Sequence, residues 1–245
     1  FATEGALLAT AEACFDAAEA VLDLLSVSPF ATPLGEVCIG RVEKAGLVEL
    51  AGPGSATALR ALIGQMKKYG AAQILVDGAI NRIASASPSV TAATILATGA
   101  TVGPLLDDVI RKTIFRCNVL ETSAVNDPAL LEAAQEGLNR GEAALLQDRD
   151  GVWEAEALHA PIPLLAGAQL RQRFRKEVRA VALGGALVDQ MLLEISRLSL
   201  PPPAVIIRDA TRNFVTPGVY TRYLRRGGKI MVLQAINLLA LTVNP

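Results

Sequence analysis

Apolar and polar positions along this chain follow two periods, and the change between them marks out the elements. Ala6, Leu7, Leu8, Ala13, Phe15, Ala17, Val21, Leu22 and Leu25 recur at roughly helical spacing, which predicts an amphipathic helix over 6–25. Two short strands are predicted at 35–42 and 47–51. The second runs into Gly52-Pro53-Gly54-Ser55, where Ser55 suits the N-cap of a helix that Gly70 stops after Tyr69. A strand at 73–77 ends at Asp77-Gly78, and 78–93 is small and polar. A strand at 94–98 then passes through Ala97-Thr98-Gly99-Ala100 towards a helix from about Pro104.

Asp127-Pro128 opens a helix to about Leu138, and 143–158 reads as a hairpin turned at Asp148-Arg149-Asp150-Gly151. Residues 168–177 read as helical or irregular. Strand 178–183 enters Gly184-Gly185, a helix covers 186–197, and Pro201-Pro202-Pro203 breaks it. Strand 204–208, helix 217–226 and strand 229–233 follow, and 230–243 reads as a strand with a buried turn after it. The expected fold is α/β, an open and mostly parallel sheet flanked by helices. Residues 1–119 and 176–245 build the sheet, and 120–175 forms a small α+β insertion or subdomain carrying the hairpin.

Composition narrows the function classes. The chain has 245 residues, 51% of them hydrophobic and only 4% aromatic, so aliphatic side chains fill the core and let helices approach the sheet closely. A formal net charge of −1 gives no bulk attraction to nucleic acid or an acidic membrane. The basic runs, Arg171 to Arg179 and Arg222 to Lys229, lack the aromatic interleaving of a single-strand nucleic-acid surface. Cys14, Cys38 and Cys117 are too scattered for a zinc site or a disulfide framework, which fits a reducing, cytoplasmic setting. No apolar stretch of membrane-spanning length is free of charge. With Phe1 at one end and Pro245 closing an apolar run at the other, both ends are expected to be cut from a longer polypeptide.

Two apolar runs stop at an aspartate: Ile74-Leu75-Val76-Asp77 and Val205-Ile206-Ile207 before Arg208-Asp209. A strand that ends in a carboxylate carries charge to the sheet rim where α/β folds place ligands, and magnesium takes such hard oxygen donors. Asp77 is therefore the candidate metal ligand, and Asp77 with Asp209 the candidate catalytic pair. Gly78 permits close backbone approach, and Arg82 suits a phosphate or an ion pair with Asp77. Gly52, Gly54 and Ser55 form a plausible anion cradle at a helix start, and Thr98 with Gly99 a second close-approach loop. Each has a plainer structural alternative, a capped or self-satisfied turn. His159 lacks a companion histidine or a nucleophile motif, and no GxxxxGK[ST] phosphate loop occurs.

Several segments together resemble the large, ATPase-like subunit of the reactivating factor for lysine 5,6-aminomutase. They are 32–37 (TPLGEV), 48–53 (VELAGP), 74–82 (ILVDGAINR) with 86–88 (ASP), 95–100 (ILATGA), 236–238 (INL) and 241–245 (LTVNP). The likeness spans nearly the whole chain. It implies an ATP- and Mg2+-dependent, chaperone-like protein of lysine degradation that frees damaged cobalamin from its client aminomutase alongside a small partner subunit. It also implies a P-loop-NTPase-like fold whose phosphate loop lies ahead of Phe1, with Asp77 on the magnesium side, so that this stretch alone is inactive. Two other readings stay open: a small-molecule α/β hydrolase using Asp77 and Asp209, and a non-catalytic assembly subunit.

Overall fold

A computed structural model describes residues 1–78, 83–159 and 163–244, with the side chains of 163–167 outside the description. The chain forms two compact units, residues 1–85 with 89–91 and residues 86–88 with 92–245.

The first unit is an antiparallel sheet with a short helix between its first two strands and a longer one packed on it. Its elements are β1 (Leu7–Ala11), α1 (Glu12–Asp16), β2 (Val21–Thr32), β3 (Gly35–Lys44) and α2 (Ala56–Lys68), with sheet order β1-β3-β2. The helix expected over 6–25 is therefore a strand, one helical turn and the start of a second strand. The reason is tertiary: β3 buries Val37, Ile39 and Val42 and takes a strand on each side, β1 pairing Leu7 with Arg41 and β2 pairing Leu22 with Val42. The Thr10 hydroxyl donates to the Glu49 carbonyl and accepts from the Ala51 N–H at 2.9 Å each, so 47–51 runs alongside β1 as coil, not as the strand expected there.

α2 forms as its ends dictate. The Ser55 hydroxyl accepts from the Ala58 N–H at 3.1 Å, and Gly70 beyond the last turn adopts φ +95°. Its Leu62 and Met66 pack on Val37 and Ile39, together with Ile74. The strand expected at 73–77 does not form. Residues 74–78 are coil, and Leu75 is 87% exposed. An apolar run becomes a strand only where an edge accepts its backbone hydrogen bonds, and this one has no strand partner among the described residues.

The second unit contains β4 (Thr94–Gly99), α3 (Leu106–Leu120), α4 (Pro128–Arg140), β5 (Ala143–Arg149), β6 (Val152–Leu158), α5 (Pro163–Arg173), β7 (Val178–Leu183), α6 (Asp189–Ser196), β8 (Ala204–Ile207), α7 (Pro217–Arg225), β9 (Ile230–Val232) and β10 (Leu238–Asn244). Five strands form a sheet of order β6-β5-β7-β8-β9, and β4 pairs with β10 in a separate two-stranded ribbon. β7-β8-β9 and the ribbon are parallel, whereas β6-β5-β7 is antiparallel. The fold is thus α/β and open, as expected, with helices flanking its sheets, but the sheets are mixed and not mostly parallel. The 120–175 segment, expected as an insertion, supplies β5 as an interior strand of the five-stranded sheet. The hairpin turns as expected, with Asp150 at φ 55°, Gly151 at φ 85°, and the Asp148 carboxylate accepting from the Gly151 N–H at 3.0 Å.

Strand period sets the core. Ala144 and Leu146 of β5, Ala180 and Ala182 of β7 and Ile206 of β8 pack with Leu130, Ala134 and Leu138 of α4. Leu145, Val181, Leu183, Val205 and Ile207 alternate with them and are buried as well, so the sheet is closed on both faces. Small residues bring α4 in close: a Cβ built on Gly137 stands 2.5 Å from the Ala144 Cβ. After β9 the buried turn expected before Val243 is replaced by β10, most of which is exposed. Among the described residues no helix is long and apolar enough to cross a membrane.

Candidate functional site

The carboxyl ends of the parallel strands β7 and β8 carry the candidate site. β7 stops at Leu183 and turns through Gly184-Gly185, while β8 stops at the fully buried Ile207 and delivers Arg208 and Asp209. Beside them the end of α4 and the start of β5 contribute Gly141 and Glu142, and the end of β6 contributes His159. Together these segments line a cavity of about 580 Å³ whose apolar wall includes Leu138, Leu183 and Met191. Pockets at the carboxyl edge of parallel strands are where open α/β sheets bind ligands, and this volume suits a small molecule.

Two neighbouring residues at the end of β8 have opposite fates. Asp209 is buried and fully engaged. Its carboxylate accepts from the Ser87 hydroxyl at 2.8 Å, from the Thr211 N–H at 2.9 Å and from the Thr211 hydroxyl. It thereby caps the single turn at 210–212, after which Leu187 bridges to Asn213 and prolongs the β7–β8 pairing. Arg208 is exposed, and its guanidinium makes no ion pair or hydrogen bond among the described residues. Its backbone is fixed, with the carbonyl accepting from the Gln234 N–H at 3.0 Å. Of the other charged groups on the cavity, Arg140 lies 3.4 Å from Glu136 and donates to the Ala155 carbonyl at 3.0 Å, and His159 Nδ1 stands 4.0 Å from Glu142 Oε2.

Asp77 and Gly78 are exposed on coil of the first unit, and Arg82 lies outside the described residues. Gly52 and Gly54 have no atom within 4 Å of a built Cβ, so nothing there demands close approach, and Ser55 serves α2 as its cap. Thr98 is buried, its hydroxyl 2.6 Å from that of Thr113 on α3. Gly99 is required by the ribbon, because a Cβ there would stand 2.5 Å from the carbonyl of its β10 partner Asn244. The fold thus joins Asp209 to Ser87 across 122 residues, and Thr98 and Gly99 to α3 and β10. Arg208 is the site residue that sequence reasoning passed over, although it ends the apolar run of β8.

These donors do not compose a magnesium–nucleotide site by themselves. Asp77 offers one exposed carboxylate, both Asp209 oxygens are already engaged, and among the described residues no three His, Cys, Asp or Glu side chains gather to hold a metal. Comparison of the chain with protein-family models, curated proteins and solved structures finds no match.

Proposed function

We propose that this chain is the sheet-bearing part of an ATP-dependent, chaperone-like accessory protein for an adenosylcobalamin-dependent lysine aminomutase, acting in the cytoplasm with a small partner subunit. In this reading the fold is P-loop-NTPase-like, and the phosphate loop sits on polypeptide other than these 245 residues, which contain no GxxxxGK[ST].

The observation that carries it is the β4–β10 ribbon. Parallel strands are normally interior to larger sheets with both faces covered, yet among the described residues this pair has no further strand beside it, with Leu241 46% and Val243 71% exposed. On α3, which packs on β4, Leu106, Ile110 and Ile114 form an uncovered apolar stripe at four-residue spacing. A further strand beside the ribbon would cover these groups, and a strand is what a phosphate loop follows. At the carboxyl end of the ribbon Gly99 pairs with Asn244, next to the buried Thr98. That is the end of a parallel sheet where nucleotides bind. Nucleotide turnover would then bias a two-state protein and so drive partner rearrangement.

The test is a calorimetric titration of Mg-ATP into the complete product of the reading frame that holds this chain, into its Asp77→Ala variant and into the 245-residue chain. Binding by the complete product, weakened in the variant and lost in the short chain, supports the reading. A folded complete product that does not bind sinks it. In that event the uncovered ribbon favours the assembly-subunit reading, in which the same apolar groups meet a partner without nucleotide.

A further inference from the structure

The cavity at the ends of β7 and β8 is independent of the nucleotide reading, and its chemistry is specific. Arg208 projects from a strand end whose preceding residues, Val205 to Ile207, are completely buried, so its Cα position is set by the core. The Asp209 turn holds it from the other side. A cation in such a place, with no acceptor among the described residues, is a prepositioned fork for an acidic group. Arg140 keeps its own partners and adds positive charge on the same cavity wall, while Glu142, beside His159, holds the single acidic side chain of the lining. Open space lies in front of Gly185, where a built Cβ meets nothing within 4 Å, whereas a Cβ built on Gly184 would stand 3.0 Å from the Glu142 carbonyl. Leu138, Leu183 and Met191 supply an apolar wall.

We propose that this cavity binds a small amphiphilic organic anion, its acidic group paired with the Arg208 guanidinium and its apolar body lying along Leu138, Leu183 and Met191. Phosphate monoesters and carboxylates share the required chemistry. The site needs neither magnesium nor a phosphate loop, so it functions in this chain whether or not the nucleotide reading holds.

Phenyl phosphate and benzoate serve as anionic probes and benzyl alcohol as their neutral counterpart, titrated calorimetrically into the wild-type chain, Arg208→Ala and Arg179→Ala. Arg179 is an exposed arginine on β7 outside the cavity lining and controls for general surface charge. At least one anion is expected to bind the wild type with one-to-one stoichiometry. Arg208→Ala should weaken that binding about tenfold or more, the loss expected for a charge-assisted hydrogen bond. Arg179→Ala should leave it within about twofold, and benzyl alcohol should bind at least about tenfold more weakly than the anion. Equal binding of the neutral probe, binding unchanged in Arg208→Ala, or no saturation by either anion up to about 10 mM overturns the proposal.

Discussion

Replacing Asp209 by alanine tests whether this carboxylate is held for the fold. The substitution removes the acceptor of three hydrogen bonds in a region with almost no solvent: Asp209 is 5% exposed, Thr211 5% and Ser87 6%. The two hydroxyls can rotate in search of other acceptors, but the Thr211 N–H cannot, and a buried unsatisfied donor costs about 1–3 kcal/mol. Adding a smaller loss for the hydroxyls gives an expected destabilisation of about 2–4 kcal/mol. Asparagine keeps one carbonyl oxygen for the Thr211 N–H and lets Ser87 donate or accept elsewhere, so Asp209→Asn should cost about 1 kcal/mol. Urea unfolding at pH 7 reads this directly, because Trp153 on β6 is the only tryptophan and reports the second unit alone. With a slope of about 2 kcal/mol/M, the alanine variant should unfold about 1–2 M earlier. An alanine variant within about 0.5 kcal/mol of wild type would refute the reading that Asp209 holds the turn, and would return this carboxylate to the catalytic candidates.

Three other outcomes follow from single contacts. Tyr223 is buried, donates its hydroxyl to the Pro203 carbonyl, and burial pushes its phenol well above the usual range. A raised value stabilises the fold below the unfolded pKa of about 10 and loses that contribution as pH rises further. Tyr223→Phe should therefore cost about 1 kcal/mol at pH 7 yet flatten the fall in urea midpoint above about pH 10. Asp127 caps α4 and accepts from the Trp153 indole N–H at 2.9 Å. That bond first, and the Leu130 and Ala129 N–H groups after it, hold its carboxyl below the usual range. Its contribution is present above an unfolded pKa of about 3.9 and vanishes as pH falls through the lower folded value. Asp127→Ala should thus be less stable than wild type at pH 7, with the gap closing on acidification below about pH 4 in the same unfolding assay. Gly137→Ala would drive a methyl to 2.5 Å from the Ala144 Cβ and separate α4 from β5. An expected loss of about 1–3 kcal/mol should outweigh the helix-propensity gain of about 1 kcal/mol, whereas a more stable variant would contradict the close packing.

What the sequence made legible was mainly where elements begin and end. Ser55, Gly70, Asp127-Pro128 and Asp150-Gly151 each fix a backbone conformation through their own chemistry, and each marks the boundary it was expected to mark. The buried strands 178–183 and 204–207 were also readable, because apart from the exposed Arg179 they are apolar at every position. The failures share one cause, the absence of partner information. Residues 6–25 satisfy a helical spacing and a strand–turn–strand pattern about equally well, and only β3 decides between them. Ile74 to Val76 looks like a strand locally and has no edge to join among the described residues. For the site, Asp209 stood out as a carboxylate at a strand end, but its engagement with Ser87 depends on a contact 122 residues away. The cavity draws on α4, β5, β6, β7 and β8 at once, so no local motif could have announced it.

The central proposal is best tested by its output. A lysine 5,6-aminomutase inactivated with hydroxocobalamin is mixed with the complete product of this reading frame, the small subunit that the proposal pairs with it and Mg-ATP, and free cobalamin is measured after gel filtration. Release that requires both Mg-ATP and the complete product is the predicted result. Retention of the cobalamin by the mutase, with every component folded and nucleotide present, would contradict the account.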